Sequence, residues 1–357
     1  MVGATRRIQI YKQTMKRIGN LFDTIISLEN LQLADEKARK GKVHSYGVQL
    51  HDKNREANLL SLHESLKNQT FKTSNYHIFT IFEPKERQIF RLPYFPDRIT
   101  HHAIMNILEP IWVSLFTNDT YSCIKNRGIH AAAKDVMFTL KNDVSGTRYC
   151  LKIDVRKFYP SIDHEILKQV IRRRIKDKRL LWLLDEIIES VPSGVPIGNY
   201  LSQYFANVYL AYFDHWLKEE KRVKYYWRYA DDIVVLAPNK ETLHELLHDI
   251  RAYMRDNLKL KVKRNYQVFP VDARGIDFLG YVFYHSHTLL RKSIKQRLFR
   301  RVAKLRQRKT VPTKEQYKQQ ICSWWGWCKY CDSINLMSKI QKTIPYEIKF
   351  TRAKRKV

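Results

Sequence analysis

Tyr225-Tyr226-Trp227-Arg228-Tyr229-Ala230-Asp231-Asp232-Ile233-Val234-Val235-Leu236 is the stretch on which the fold turns. Aromatic and β-branched runs on both sides of a short polar break predict a hairpin. The prediction places the adjacent carboxylates of Asp231 and Asp232 at a turn on a rigid sheet. Like charges repel there, so something must offset them. A hard divalent cation such as Mg²⁺ does so, with substrate phosphates completing its shell. A solvated acidic turn is the plain alternative, and the rest of the chain decides between the two.

The chain has 357 residues, room for two or three domains and a sizeable core. It carries 65 Lys and Arg against 35 Asp and Glu, a net charge of +30. Such a protein repels itself unless it meets a polyanion. Nucleic acid is the leading partner and an anionic membrane surface the second. No apolar run approaches spanning length, so no membrane partner is expected. The segment from Met1 to Lys12 is basic but lacks the apolar part of a secretory signal, which predicts a cytoplasmic location. Five cysteines, an odd number, argue against a disulfide framework. Cys328 and Cys331 have metal-type spacing, with Cys322 nearby, but no second Cys or His pair follows at a finger-like distance. They are read as small buried apolar residues in the aromatic stretch Ser323-Trp324-Trp325-Gly326-Trp327.

Residues 1–75 show helical spacing, as at Ile18, Leu21, Phe22, Ile25 and Ile26, and a second helix is expected over 58–66. Residues 76–95 predict two strands around the turn Glu83-Pro84-Lys85-Glu86, followed by a helix with Asp97 as its N-cap. Residues 149–155 form a buried strand ending near Asp154. A helix starts near Asp163, and further helices are expected over 199–217 and 241–258, with a hairpin over 276–282. Residues 291–309 hold ten Lys and Arg and no acid, with Ile294, Leu298, Val302 and Leu305 on one face. That is a basic amphipathic helix suited to a nucleic-acid groove. There is no internal repeat, and strands and helices intermix, so the class is α+β.

Asp154 ends its strand 77 residues before Asp231. If that strand lies beside the hairpin, three carboxylates converge. Convergent carboxylates suit two-metal phosphoryl transfer, in which catalysis is mostly positioning and charge neutralisation.

These residues carry a resemblance. Asp154-Val155-Arg156-Lys157-Phe158-Tyr159 resembles motif A of reverse transcriptases, and Tyr229-Ala230-Asp231-Asp232 resembles their motif C. Phe278-Leu279-Gly280 resembles the primer-gripping turn that follows. The likeness runs from about residue 15 to residue 340 and implies a right-handed polymerase with fingers, a palm of antiparallel sheet and helices, and a helical thumb. On that pattern 1–75 is an N-terminal helical extension, 76–148 fingers, 149–285 palm with part of the fingers, and 286–357 thumb and basic tail. The loop Pro196-Ile197-Gly198-Asn199-Tyr200-Leu201-Ser202-Gln203 has Ile-Gly where most of the family has Gln-Gly. This is similar to the reverse transcriptases of diversity-generating retroelements, as are Asp97-Arg98-Ile99-Thr100-His101-His102-Ala103 and Tyr121-Ser122-Cys123 with Gly128-Ile129-His130.

The resemblance implies roles. Asp154 and Asp231 would bind two Mg²⁺ ions, with Mn²⁺ as a substitute. Asp232 would support them, and the Val155 carbonyl would add a ligand. Lys85 and Arg87 would hold the triphosphate, with a solvated hairpin as the alternative. Tyr159 would screen the sugar 2′ position, with core packing as its alternative. Ile197, Gly198 and Gln203 would contact the nucleotide. Lys261 or Lys263 would protonate the leaving pyrophosphate. Phe278, Leu279 and Gly280 would grip the primer, and the basic helix would track the template–primer backbone. His101-His102 is expected in helix packing.

Ile197 offers shape where Gln would offer hydrogen bonds, and apolar sites discriminate less well, which predicts low fidelity, with simple pocket filling at ordinary fidelity as the alternative. The implied function is error-prone copying of a template RNA, from a DNA or RNA primer with dNTPs, into cDNA mutated at adenines for diversification of a target gene. A small basic homo-oligomeric accessory protein is the expected partner. Alternatives are a reverse transcriptase of retron, group II intron or phage-defence type, and a non-catalytic RNA-binding protein on the same fold. The stretch after Gly280 is too short for a ribonuclease H domain as well and argues against intron types carrying an endonuclease.

Overall fold

The computed structural model describes residues 16–82, 86–308, 310 and 312–346. The expected Lys85 contact and the basic end of the chain from residue 347 lie outside them. The chain divides into two compact units, Met1–Leu115 with Tyr159–Tyr209, and Phe116–Phe158 with Leu210–Val357.

The first unit is mostly helical. Helix Leu28–Ala38 packs on Arg55–Lys67 and on Ile99–Val113, burying Leu31, Ala34, Leu62, Leu66, Ala103 and Leu108. Asp177 begins two elements at once. Its Oδ1 accepts from Leu180 N at the start of helix Lys178–Glu189, and its Oδ2 accepts from Leu21 N and Phe22 N at the start of Phe22–Ile26. Each such cap contributes about 1 kcal/mol. Asp97 departs from expectation. It is fully buried, and its Oδ1 accepts from Ser74 N at 3.0 Å. The kinked segment Tyr94–Arg98, extended at Phe95, leads into Ile99–Val113 with no side-chain cap. Tertiary contact took the carboxylate that local spacing assigned to the helix end. The unit also holds a hairpin of β1 (His77–Ile81) and β2 (Arg87–Arg91), paired from His77↔Arg91 to Ile81↔Arg87. Helix Tyr200–His215 carries the chain into the second unit.

The second unit is built on a five-stranded sheet. Its strands are β3 (Thr120–Tyr121), β4 (Tyr149–Asp154), β5 (Tyr225–Tyr229), β6 (Asp232–Ala237) and β7 (Gln267–Pro270), in the order β3-β5-β6-β4-β7. β5, β6, β4 and β7 pair antiparallel with their neighbours, while β3 pairs parallel with β5. Side chains alternate between faces. Cys150, Trp227, Val234, Leu236 and Phe269 join one core with Ala132, Val136 and Leu140 of helix Ile129–Asn142. The intervening Leu151, Ile153, Tyr226, Ile233 and Val235 are buried too, so the run Ile233–Ala237 is apolar throughout, as in a strand covered on both faces. Helix Lys240–Leu258 packs on β4, β6 and β7.

A second sheet of β8 (Ile276–Phe278), β9 (Tyr281–Phe283) and β10 (Thr288–Leu290) follows, in the order β10-β9-β8. Helix Lys292–Arg306 lies within the predicted basic segment. Its Leu298, Val302 and Leu305 pack against Tyr317, Ile321 and Ile340 of helices Lys314–Cys328 and Ile334–Thr343. Its apolar stripe is therefore used inside the unit. Trp324 and Trp325 flank this cluster. Cys328 is buried as predicted, but Cys331 is half-buried and Cys322 exposed. Among the described residues no helix is long and apolar enough to cross a membrane. The class is α+β.

Candidate active site

Register brings the acids together. β4 and β6 pair so that Asp154 lies directly opposite Asp232, and Tyr229↔Asp232 closes the β5–β6 hairpin around Ala230-Asp231. Directly opposed antiparallel residues hold their Cβ atoms about 5 Å apart, so these two carboxylates share one side of the strand ends. Ala230 adopts φ +53°, unfavourable for a residue with a Cβ. Hydrogen bonds to its carbonyls hold this turn. Arg228 Nη1 donates to the Ala230 carbonyl at 3.1 Å, and Val155 N donates to the Asp231 carbonyl at 3.3 Å.

Arg228 itself is fully buried, as is its counter-ion Asp214 near the end of helix Tyr200–His215. Arg228 donates through Nε and Nη2 to Asp214, which also accepts from Tyr226 Oη at 2.6 Å and Thr120 Oγ1 at 2.8 Å. A buried pair is tolerated when its remaining lone pairs are satisfied, as here. Burial, then the Asp214 charge, pushes the Tyr226 phenol well above its ordinary range. Sequence reasoning passed over this pair. The available signals were a lone acid in the apolar run Val208–Phe213-Asp214 and a lone arginine inside an aromatic strand.

Two lysines reach the acids. Lys263 Nζ sits 2.7 Å from Asp154 Oδ2, and Lys152 Nζ 3.6 Å from Asp232 Oδ2. The bridge Val155↔Val262 places Lys263 opposite Asp154, with Lys263 N donating to the Asp154 carbonyl. Lys261 enters the same ladder through its carbonyl, which accepts from Arg156 N. Of the two candidate lysines, the one whose ammonium reaches an acid is Lys263. Burial pushes the Asp232 carboxyl up to about 6; Lys152 opposes the shift, and Asp154 and Asp231 reinforce it.

These residues fit a divalent cation. Asp154 Oδ1 and Asp232 Oδ1 are both shielded from solvent and accept no hydrogen bond. Buried acceptors without a donor are rare, and a hard cation is the ligand such oxygens suit. Among the described residues no three His, Cys, Asp or Glu side chains are gathered closely enough to hold an ion alone. A Mg²⁺ shell completed by substrate oxygens has no need of such a cage.

The turn Leu279-Gly280 joins β8 to β9 with positive φ at both residues, +54° and +83°. That is the geometry of a tight primed turn. A Cβ on Gly280 would come within 2.5 Å of the Trp327 ring. The Gly280 carbonyl accepts from Arg291 N at 2.9 Å.

The remaining predicted residues lie in the first unit. Phe90 N of β2 donates to the Ile197 carbonyl at 2.8 Å, and Gly198, at φ +119°, leaves 3.0 Å between its would-be Cβ and the Phe90 carbonyl. The Tyr159 carbonyl accepts from Val195 N at 2.9 Å. Tyr159, Ile197, Gly198 and the strand of Arg87 are thus joined through one loop. Ile197 and Tyr159 are half-buried, while Arg87 and Gln203 are exposed. His101 is buried in helix Ile99–Val113, and burial lowers its imidazole to about 3; His102 stacks on Tyr200.

Residues 83–283, more than half of the chain, match the family model described as reverse transcriptase (RNA-dependent DNA polymerase). The chain is 26% identical over 259 residues to protein YkfC of Escherichia coli strain K12, covering 59% of this chain and 66% of that one. It is 26% identical over 170 residues to the group II intron-encoded protein LtrA of Lactococcus lactis subsp. cremoris, covering 44% and 28%. It is 29% identical over 198 residues to the retron Ec73 reverse transcriptase of Escherichia coli, covering 51% and 60%. The chain therefore spans less than two thirds of each of these relatives. Among solved structures, apo telomerase from Candida Tropicalis aligns with a TM-score of 0.49 at 12% identity, covering 77% of this chain and 59% of that one.

Proposed function

Because the chain belongs to the reverse transcriptase (RNA-dependent DNA polymerase) family, we propose that it extends a DNA or RNA primer on an RNA template with dNTPs. The observation that carries this reading is the facing pair Asp154 and Asp232, each with an orphaned buried oxygen, beside the Asp231 turn. Asp154 and Asp231 would hold two Mg²⁺ ions, or Mn²⁺ in their place, with Asp232 and the Val155 carbonyl in support. Bound there, the ions would activate the primer 3′-hydroxyl and stabilise the leaving pyrophosphate oxygen. The Lys263 ammonium beside Asp154 is the proton source for that leaving group. Arg228 and Val155 keep the Asp231 backbone fixed, so the reacting groups are positioned before substrate arrives. In the first unit, Lys85, Arg87, Tyr159, Ile197, Gly198 and Gln203 are the proposed nucleotide contacts. Phe278, Leu279 and Gly280 are the proposed primer contacts. In polymerase terms, 1–75 would be an N-terminal extension, 76–148 fingers, 149–285 palm with part of the fingers, and 286–357 thumb and basic tail.

Within this activity the proposed specialisation is error-prone copying at template adenines, as in diversity-generating retroelements, with a small basic accessory protein as partner. Ile197 supports it: the loop residue offers the nucleotide an aliphatic side chain where Gln would offer hydrogen bonds. The relatives LtrA and the retron Ec73 enzyme support a second reading, an accurate reverse transcriptase of group II intron or retron type. Primer extension on RNA with Mg²⁺, followed by sequencing, separates the two. Errors concentrated opposite adenine support the first, and evenly accurate cDNA the second. Absence of cDNA, with cognate RNA and a candidate accessory protein supplied, refutes polymerase function.

A further inference from the structure

Lys152 stands two residues before Asp154 on β4, so both side chains leave the same face of the strand. Its ammonium makes two contacts. One is ionic, 3.6 Å from Asp232 Oδ2. The other is a short hydrogen bond donated to the backbone carbonyl of Asp277. Asp277 immediately precedes Phe278-Leu279-Gly280, and its carboxylate accepts from Arg291 Nε. Arg291 in turn donates its backbone N–H to the Gly280 carbonyl. One lysine therefore connects a carboxylate at the end of the five-stranded sheet to the β8–β9 turn on the other sheet. The side chain is 21% exposed, enough to move and too little to be a solvated surface lysine.

We infer that Lys152 is a positioning residue that couples occupation of the carboxylate site to the seating of the β8–β9 turn against the primer end. The inference rests on the proposed metal and primer sites. In the free protein the ammonium supplies positive charge beside Asp232 and holds the turn by its Asp277 carbonyl. A divalent cation entering at the acids meets this ammonium at close range and repels it. The repelled lysine retains the Asp277 carbonyl, so its contact with the turn becomes its main one. Metal entry and turn position are linked through a single side chain. Removing the charge should therefore act on the two sites with opposite sign.

The test uses the full chain and the variants K152M and K152R at pH 8. Mn²⁺ binding is measured by calorimetry on metal-free protein, and primer KM and kcat by extension of a short RNA–DNA hybrid. Loss of one charge near a partly solvated cation predicts Mn²⁺ binding about fivefold tighter in K152M. Primer KM should rise about tenfold, the factor that corresponds to one lost charged hydrogen bond, with kcat changed less. K152R keeps the charge and a donor, so both constants should return to within about twofold of wild type. A purely structural role would shift the melting temperature without this opposed pair of changes. K152M with unchanged Mn²⁺ affinity, or with weaker Mn²⁺ binding, overturns the coupling. A wild-type chain that neither binds Mn²⁺ nor extends primers overturns the underlying site assignment instead, and the coupling falls with it.

Discussion

Replacing Asp232 with Asn should stabilise the metal-free protein at neutral pH while ending polymerisation. The Asp232 carboxyl is pushed from its ordinary 3.8 to about 6, chiefly by burial. At 1.36 kcal/mol per unit the ionised group would cost the fold about 3 kcal/mol. The side chain is 31% exposed, and Asn also forfeits attraction to Lys152, so solvent screening reduces the expected gain to about 1–2 kcal/mol. The sign follows from proton linkage. Below pH 3.8 the carboxyl is protonated in both folded and unfolded chains and contributes nothing. Between 3.8 and about 6 the unfolded chain releases its proton first, so folding becomes progressively less favourable. Above about 6 the penalty is complete and constant. The advantage of D232N should therefore be absent in acid, grow through this window and then level off. Urea unfolding in EDTA at a series of pH values reads it directly, and added Mg²⁺ should narrow the gap by stabilising wild type. A D232N protein that is less stable than wild type at pH 7, with a difference flat in pH, would refute the assignment of Asp232 as a strained carboxylate.

Other substitutions probe the remaining parts of the site. Asp231→Ala should reduce primer extension by at least about a thousandfold, as loss of a metal-holding group does, while RNA binding in a filter assay stays within a few fold. Ile197→Gln should lower misincorporation opposite adenine by about tenfold if the loop sets fidelity, counted by sequencing the cDNA. Arg228→Met should destabilise the protein by about 3–5 kcal/mol because it strands Asp214, whereas Arg228→Met with Asp214→Leu should recover most of that loss in thermal melts. Gly280→Ala should cost about 1–3 kcal/mol through its positive φ and the Trp327 ring, and should raise primer KM in the same assay.

Much of this architecture was legible because period-2 and helical apolar patterns report burial directly. β4, β5, β6 and helix Lys240–Leu258 fall where that pattern places them, and β4 pairs beside the hairpin so that Asp154 faces Asp232. Long-range partners were less legible. Lys261 and Lys263 flank Val262 with the same parity in a segment outside the strands, and the isolated bridge Val155↔Val262 decides which one faces Asp154. Asp97 had a plausible local role as a cap, but Ser74, distant in sequence, claimed its carboxylate. The turn Ala230-Asp231 lacks the glycine or asparagine that usually supplies positive φ, so nothing local announces its conformation. That conformation depends on Arg228, and Arg228 depends on Asp214 in a preceding helix.

This dependence has an evolutionary consequence. A lineage that loses either Arg228 or Asp214 alone inherits a stranded charge in its interior, so neither position can drift independently. Replacement has to pass through a simultaneous double change or through a background with stability to spare. Between parents that differ at both positions, homologous recombination with a breakpoint between residues 214 and 228 would sort the partners into different offspring. Chimaeras of such parents should survive when both positions come from one parent and fail when they do not, whichever parent supplies the Tyr-Ala-Asp-Asp tetrapeptide.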